Sequence, residues 1–213
     1  MKSYIAIEGP IGVGKTTLVK FFESKGGAET ILDVFDNPFL SDFYRDKPNA
    51  AFRTQMFFLI SRFQQQVVVS KDRERGSLLV CDYLFAKDKI YAYLNLDDQE
   101  ILIYDKYFGT LSPLVPIPDL VVYLKAPREV LIERVQRRNV DFEAKISDAY
   151  VDELIKAYDH FFYHYKDTPL LIVNTAEMDL VENPEELRAL MQRIAGGTIH
   201  GVQYYHPIHK KAK

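Results

Sequence analysis

Apolar residues along this chain follow two kinds of pattern, and the two alternate. Short runs in which nearly every residue is apolar indicate strands buried on both faces. Stretches with apolar residues three or four apart indicate helices with one buried face. The apolar runs fall at residues 4–7, 30–32, 77–81, 120–124 and 170–173, and the helical stretches at 15–24, 49–70, 97–108, 127–138, 148–165 and 184–194. Strands alternating with helices predict an α/β protein with a parallel sheet.

The segment after the first apolar run carries the clearest chemical signal. Residues 9–16 match G-x-x-x-x-G-K-[ST], between a predicted strand and a predicted helix. Glycines let backbone N–H groups turn toward a polyphosphate, and the N-terminus of the helix favours the same anion. In such a loop Lys15 reaches the β- and γ-phosphates, and the hydroxyl of Thr16 ligates Mg²⁺. The expected triphosphate-binding residues are Gly9, Pro10, Ile11, Gly12, Val13, Gly14, Lys15, Thr16 and Thr17.

Three acidic residues follow strand-like runs: Glu8, Asp33 and Asp82. The carboxyl ends of parallel strands share one edge of the sheet, where ligands of such folds bind. Phosphoryl transfer to a hydroxyl needs one carboxylate near the acceptor and another to hold the metal. Asp82 is the better metal-side candidate and Asp33 the better acceptor-side candidate. Asp36 is close enough in sequence to compete with Asp33.

An arginine-rich segment spans residues 133–138. Arg134 and Arg138 are four positions apart and share a helix face, and guanidinium groups match phosphoryl oxygens bidentately. A flap carrying them could close over the transferring phosphate and exclude water. The alternative is a charged, solvated helix end.

The long helix carries two polar residues on one face. Gln55 and Arg62 are seven positions apart. They could read a base edge by bidentate hydrogen bonds, or they could be two exposed polar positions.

Composition narrows the class of protein. A chain of 213 residues with 47% hydrophobic residues fits one domain with a sizeable core. A net charge of −3, without a basic stripe, argues against nucleic acid as a main partner. A single cysteine favours a reducing compartment, and no apolar run is long enough for a membrane span. We therefore expect a cytoplasmic protein without a membrane partner.

The phosphate loop alone does not identify the acceptor, because GTPases, motor ATPases and small-molecule kinases share it. The chain lacks the N-K-x-D and D-x-x-G motifs of a GTPase. Its size and its arginine-rich segment favour a small-molecule kinase.

Five segments together resemble the deoxynucleoside kinase family, in particular its bacterial deoxyadenosine/deoxyguanosine kinase-like branch. They are IAIEGPIGVGKTTL at 5–18, DNPFLxxFY at 36–44, QMFFLxxR at 55–62, DYxFxKDKxYA at 82–92 and PDLVVYL at 118–124. The similarity covers roughly residues 3–195. Three features depart from the family pattern. Asp33 stands where a glutamate is usual, and Tyr83 stands where an arginine often follows the acidic residue. Residues 138–140 read Arg-Asn-Val where the lid usually has Arg-Gly-Arg, and an arginine is gained at 137.

The resemblance implies transfer of the γ-phosphoryl group of ATP, with Mg²⁺, to the 5′-hydroxyl of a deoxyribonucleoside, with a purine favoured. It also implies a P-loop kinase fold with a five-stranded parallel sheet and a homodimer. One domain would span residues 1–200, with a lid at about 134–146, followed by a tail at 201–213. The catalytic residues would be Lys15, Asp33, Arg134 and Arg138. The substrate-binding residues would be Asp33, Tyr44, Gln55, Arg62, Asp82 and Glu143, with Tyr44 and Glu143 at the sugar 3′-hydroxyl, and the metal would be held by Thr16 and Asp82.

Two other functions remain open from the sequence. One is a nucleoside monophosphate kinase of thymidylate-kinase type, whose phosphorylated acceptor would need a further cationic group. The other is a regulatory module that binds ATP without transferring phosphate.

Overall fold

Six parallel strands form one sheet in the order β2-β3-β1-β4-β5-β6. The structure, a computed structural model, describes residues 3–33, 36–73, 76–138, 147–178 and 183–207, and of residues 70–73 and 138 it describes the backbone only. The strands are β1 (Tyr4–Glu8), β2 (Glu29–Ile31), β3 (Leu79–Cys81), β4 (Leu120–Lys125), β5 (Leu170–Asn174) and β6 (Val202–Tyr205). The predicted parallel α/β sheet is confirmed.

The expected number of five strands is wrong. The sixth strand, β6, lies within residues 201–213, which were expected to form a tail, and it pairs parallel with β5 from Val202 opposite Leu170. Val202 and Tyr204 are exposed, whereas Gln203 and Tyr205 are partly buried. An edge strand with one solvated face has no continuous apolar run, so the pattern that located the buried strands does not detect it.

Eight α-helices connect or follow the strands in the described part of the chain. They are α1 (Lys15–Gly26), α2 (Leu40–Phe43), α3 (Ala50–Arg73), α4 (Asp88–Asn95), α5 (Asp98–Leu111), α6 (Arg128–Arg138), α7 (Asp148–His164) and α8 (Pro184–Gly196). The pattern predicts all of these except α2 and α4. These two are only four and eight residues long, too short to display much of the helical period.

Apolar layers cover both faces of the sheet. On one face α1 and α8 pack against the strands through residues such as Leu18, Phe22 and Leu190. On the other face the aromatic stripe of α7 is part of the core, where the rings of Tyr123 and Phe162 stack with centroids 4.1 Å apart.

The strand order places a crevice at the carboxyl end of β1. After β1 the chain builds β2 and β3 on one side of it and then crosses to β4 on the other. Ligands of open α/β sheets bind at such a switch in strand order. The loop that follows β1 is the one that carries the phosphate-binding motif.

Candidate active site

The phosphate loop packs closely against the structure behind it, and two glycines make this possible. A Cβ added at Gly9 would lie 2.3 Å from the carbonyl oxygen of Leu124. A Cβ added at Gly12 would lie 2.7 Å from the carbonyl oxygen of Leu131, and φ at Gly12 is +79°. The loop therefore rests against β4 and α6 with its backbone, as an anion-binding loop must.

Lys15 begins α1 and turns back across the loop. Its Nζ donates to the carbonyl oxygens of Gly9, at 2.7 Å, and Pro10, at 3.3 Å. Burial lowers the pKa of Lys15, and the nearby charge of Lys87 lowers it further. The ammonium group thus lies at the loop with two carbonyl contacts that phosphate oxygens could replace.

Thr16 and Asp82 form a pair of oxygen donors beside the loop. The hydroxyl of Thr16 donates to Oδ2 of Asp82 at 2.6 Å. Among the described residues, Oδ1 of Asp82 is buried and has no hydrogen-bond partner. Burial raises the pKa of Asp82, and a nearby cation would favour the ionised carboxylate. Mg²⁺ takes oxygen ligands, often one or two carboxylates together with substrate phosphates, so these donors fit that ion.

The carboxylate of Asp33 is held by two cations. Arg62 contacts it with two nitrogens, Nε on Oδ1 at 2.9 Å and Nη2 on Oδ2 at 3.1 Å. Lys87 donates to Oδ2 at 2.6 Å. Burial alone would raise the pKa of Asp33, but the charges of Arg62 and Lys87 outweigh it and hold the pKa well below its usual range. Asp33 is therefore an anion at neutral pH.

Arg62 also binds a second buried acid. Its Nη1 contacts Oδ1 of Asp88, whose Oδ2 accepts from the hydroxyl of Tyr104 at 2.9 Å. Gln55 donates from Nε2 to the backbone carbonyl of Asp88 at 3.0 Å. Gln55 and Arg62, predicted to read the base, thus share one cluster with Asp33 and Asp88, and both are 4% exposed rather than surface residues.

Glu8 links three parts of the fold. It is fully buried, and Oε1 accepts from the N–H of Gly9 at 2.7 Å and from the hydroxyl of Tyr158 at 3.0 Å. Oε2 accepts from the N–H of Leu84 at 2.8 Å. These contacts connect the phosphate loop, the turn after β3 and α7, so Glu8 holds these three segments together.

Arg134, an arginine of the predicted lid, lies against the backbone. Arg134 donates to the carbonyl oxygens of Thr175, at 2.7 Å, Met178, at 2.9 Å, and Val13, at 3.4 Å. Val13 belongs to the phosphate loop, so Arg134 joins α6 to the loop and to the turn after β5. The side chain of Arg138 and residues 139–146, including Glu143, lie outside the described residues.

Tyr44 follows α2, half-buried, with its ring edge-on to Phe43 at 5.3 Å between centroids. Asp36 is exposed, unlike Asp33. Asn37 holds this segment to α3 by donating from Nδ2 to the carbonyl oxygen of Thr54 at 3.0 Å.

Comparison with known proteins assigns this arrangement to a family. The deoxynucleoside kinase family model matches residues 5–199. The chain belongs to the deoxynucleoside kinase family. The predicted family, the P-loop kinase fold and the class of enzyme, an ATP-dependent deoxynucleoside kinase, are thereby confirmed.

Individual members of the deoxynucleoside kinase family resemble the chain over most of its length. A deoxyguanosine kinase of Bacillus subtilis (strain 168) is 34% identical over 179 residues, covering 83% of this chain and 86% of that protein. A deoxyadenosine kinase of Dictyostelium discoideum is 34% identical over 197 residues, covering 89% of this chain and 78% of that protein. A deoxyadenosine kinase from M. mycoides, solved with bound dCTP, superposes with a TM-score of 0.74 at 22% identity, covering 90% of this chain and 98% of that one, which supports the fold.

Sequence reasoning did not assign roles to three members of this kinase's buried cluster: Lys87, Asp88 and Tyr104. Lys87 and Asp88 belong to the motif at 82–92, but they follow β3 in a short turn and a short helix that the pattern does not predict. Tyr104 lies at a buried position of α5, indistinguishable by periodicity from any core aromatic residue.

In the described part of this kinase, no group of three or more His, Cys, Asp or Glu side chains is arranged to hold a metal ion. Nor does any helix of that part have the length and apolar character needed to cross a bilayer.

Proposed function

We propose that this chain transfers the γ-phosphoryl group of ATP to the 5′-hydroxyl of a purine deoxyribonucleoside. The observation that carries the proposal is the position of the Asp33 carboxylate, held as an anion by Arg62 and Lys87 beside the phosphate loop. Lys87 bridges the two regions, because its Nζ lies 2.6 Å from Asp33 and 4.0 Å from Oε2 of Glu8, and the other carboxylate oxygen of Glu8, Oε1, accepts from the N–H of Gly9 in the loop.

In this reaction the 5′-oxygen attacks the γ-phosphorus, and the bond from that phosphorus to the oxygen of the departing ADP breaks. The proton of the 5′-hydroxyl passes to Asp33 only as the new bond to phosphorus forms, and Asp33 then releases it to water. The strongly lowered pKa of Asp33 makes it a weak base, so its main role is to orient the hydroxyl by accepting a hydrogen bond. Positioning and neutralisation of charge by Lys15 and the loop amides supply most of the rate enhancement. Arg134 contributes by holding the loop through Val13.

Mg²⁺ is proposed as the cofactor, held by Asp82 and Thr16. The support is the buried Oδ1 of Asp82, which has no hydrogen-bond partner among the described residues. When bound, the ion would neutralise charge on the triphosphate. Asp82 and Thr16 orient each other through their 2.6 Å hydrogen bond.

A purine is proposed as the base on two grounds. The relatives at 34% identity are a deoxyguanosine kinase and a deoxyadenosine kinase. Gln55, Arg62 and Asp88 supply hydrogen-bond donors and acceptors in one buried cluster, of the kind that discriminates between base edges.

The deciding experiment offers γ-labelled ATP with each of the four deoxynucleosides and with thymidine monophosphate, and Lys15→Ala serves as the matched inactive control. We expect label in deoxyadenosine or deoxyguanosine monophosphate at least tenfold faster than in the other products. Label only in thymidine diphosphate would instead identify a monophosphate kinase. Tight binding of ATP without any labelled product would identify a regulatory module.

We also propose a homodimer formed through α3 and α5. These helices contact each other, and they expose Ile60 and Val67 on α3 and Leu102, Ile103 and Tyr107 on α5. A second copy of the chain would cover these residues. In sedimentation velocity we expect the wild type to be dimeric, Leu102→Glu to be monomeric, and the control Tyr163→Glu, at an 83% exposed position on α7, to stay dimeric. A monomeric wild type at micromolar concentration would contradict this.

We further propose that the protein works in the cytoplasm. A reducing compartment suits its single cysteine, Cys81, which is completely buried.

A further inference from the structure

Lys87 is a buried cation beside Asp33, and the reaction as described assigns it no effect of its own on turnover. Its side chain is 3% exposed. Its Nζ lies 2.6 Å from Oδ2 of Asp33 and 4.0 Å from Oε2 of Glu8, and it faces the ring of Tyr83 at 5.7 Å. A buried lysine is costly unless it is paired, so this charge is held in place by the acids around it.

The turn after β3 places the ammonium group of Lys87 beside Asp33. Directly after Asp82, the side chain of Tyr83 is fully buried, and its hydroxyl donates to Oε1 of Gln65 at 2.9 Å and lies 3.3 Å from the backbone carbonyl oxygen of Arg62 at the side of α3. Position 83 therefore brings no charge to the site. The 3₁₀ turn Phe85–Lys87, anchored by the bond from Leu84 N–H to Glu8, returns the chain so that Lys87 faces Asp33.

A count of charges indicates what Lys87 does. Arg62 is shared between Asp33 and Asp88, so these three side chains together carry a net charge of −1. Lys87 brings these side chains to a net charge of zero, and Glu8, 4.0 Å from its Nζ, is a further buried acid beside it. The charges of Asp33 and Glu8 outweigh the effect of burial and raise the pKa of Lys87, so it remains a cation at neutral pH.

We propose that Lys87 is a positioning residue for phosphoryl transfer, which together with Arg62 holds the Asp33 carboxylate as an oriented anion at the acceptor end of the site. The inference rests on the proposed function, because it assigns Asp33 the role of orienting the acceptor hydroxyl. Lys87 acts through Asp33, so its removal lowers kcat and has little effect on the binding of either substrate.

The test uses Lys87→Met, which removes the charge and keeps most of the side-chain volume. We expect kcat to fall about 100-fold, comparable to the loss of one preorganised electrostatic contact, with each KM changed less than about threefold. The control is Lys89→Met, two residues further along and 38% exposed, which should keep kcat within about twofold. A kcat of Lys87→Met within threefold of wild type would overturn the proposal.

A double-substitution cycle separates action through Asp33 from an independent effect. In the Asp33→Asn background, Lys87→Met should lower kcat less than about threefold further, because the carboxylate on which Lys87 acts is already gone. A further loss as large as in the wild-type background would refute the proposed role. If Lys87→Met alone fails a thermal-melting check for folding, the ratio of kcat between Asp33→Asn and the double variant decides, because the double variant loses one charge of each sign. A ratio above about threefold refutes the proposed role.

Wild-type turnover in the same assays separates failure of the proposed function from failure of the proposed role of Lys87. A wild type that phosphorylates no deoxynucleoside would refute the proposed function. An active wild type combined with an active Lys87→Met would refute only the role of Lys87.

Discussion

Replacing Glu8 by glutamine tests whether this buried carboxylate stabilises the fold by joining three of its segments. Glu8 accepts hydrogen bonds from the N–H groups of Gly9 and Leu84 and from the hydroxyl of Tyr158, all of them buried. Glutamine keeps the size of the side chain but has only one acceptor oxygen. Whichever way its amide is turned, the NH₂ group faces the N–H of either Gly9 or Leu84, and that donor loses its partner.

The structure supports an estimate of the cost. An unsatisfied buried donor costs about 1–3 kcal/mol, and the remaining hydrogen bonds lose their charge-assisted strength, so we expect a loss of about 2–4 kcal/mol. For a chain of this length that corresponds to a fall in Tm of about 5–10 °C.

The assay is urea unfolding followed by circular dichroism, with thermal melting as a second measurement. Glu185→Gln is the control, because the Glu185 side chain is 75% exposed and its ion pair with Arg188 lies on the surface. It should change the unfolding free energy by less than about 0.5 kcal/mol. A Tm of Glu8→Gln within 2 °C of wild type would show that the three hydrogen bonds do not act as a brace and would refute the reasoning.

Three further predictions concern the site. Lys15→Ala should abolish turnover while the thermal melt stays near that of wild type; near-normal turnover would contradict the role of the phosphate loop. Because Asp33 has a lowered pKa, its ion pairs contribute stability above the ordinary aspartate pKa of about 4, and that stability is lost as pH falls below it. The Tm difference between wild type and Asp33→Asn should therefore narrow below about pH 4 and stay constant from pH 5 to 7. Tyr104→Phe leaves Oδ2 of Asp88 without its 2.9 Å hydrogen bond and should cost about 1–3 kcal/mol in urea unfolding, whereas Tyr107→Phe at an exposed position should cost almost nothing.

The buried cluster shows why sequence reasoning about acidic residues was incomplete. Glu8, Asp33 and Asp82 were all found because each follows a strand, and the sheet does bring their carboxyl groups to one edge. Their different surroundings were not predictable. Besides a hydrogen bond from the adjacent Gly9, Glu8 receives two from distant segments, whereas Asp33 is paired with two cations, one on α3 and one on the turn after β3.

Gln55 and Arg62 illustrate the same limit. Their spacing places them on one face of α3, and in the structure both contact Asp88 from that face. Periodicity cannot tell which neighbour meets the face, because the partner Asp88 is 26 residues beyond Arg62 and reaches it only through the packing of α4 on α3.

The sequence by itself determined the alternation of strands and helices, the phosphate loop and the family, because these depend on residues close together in the chain and on local periodicity. The tertiary structure alone decided that β6 extends the sheet, that Arg62 is shared by two acids, and that Lys87 supplies the second charge at Asp33. These features depend on contacts between distant segments, and an ionisable group acquires its partners and its pKa only when folding removes it from water and brings those segments together.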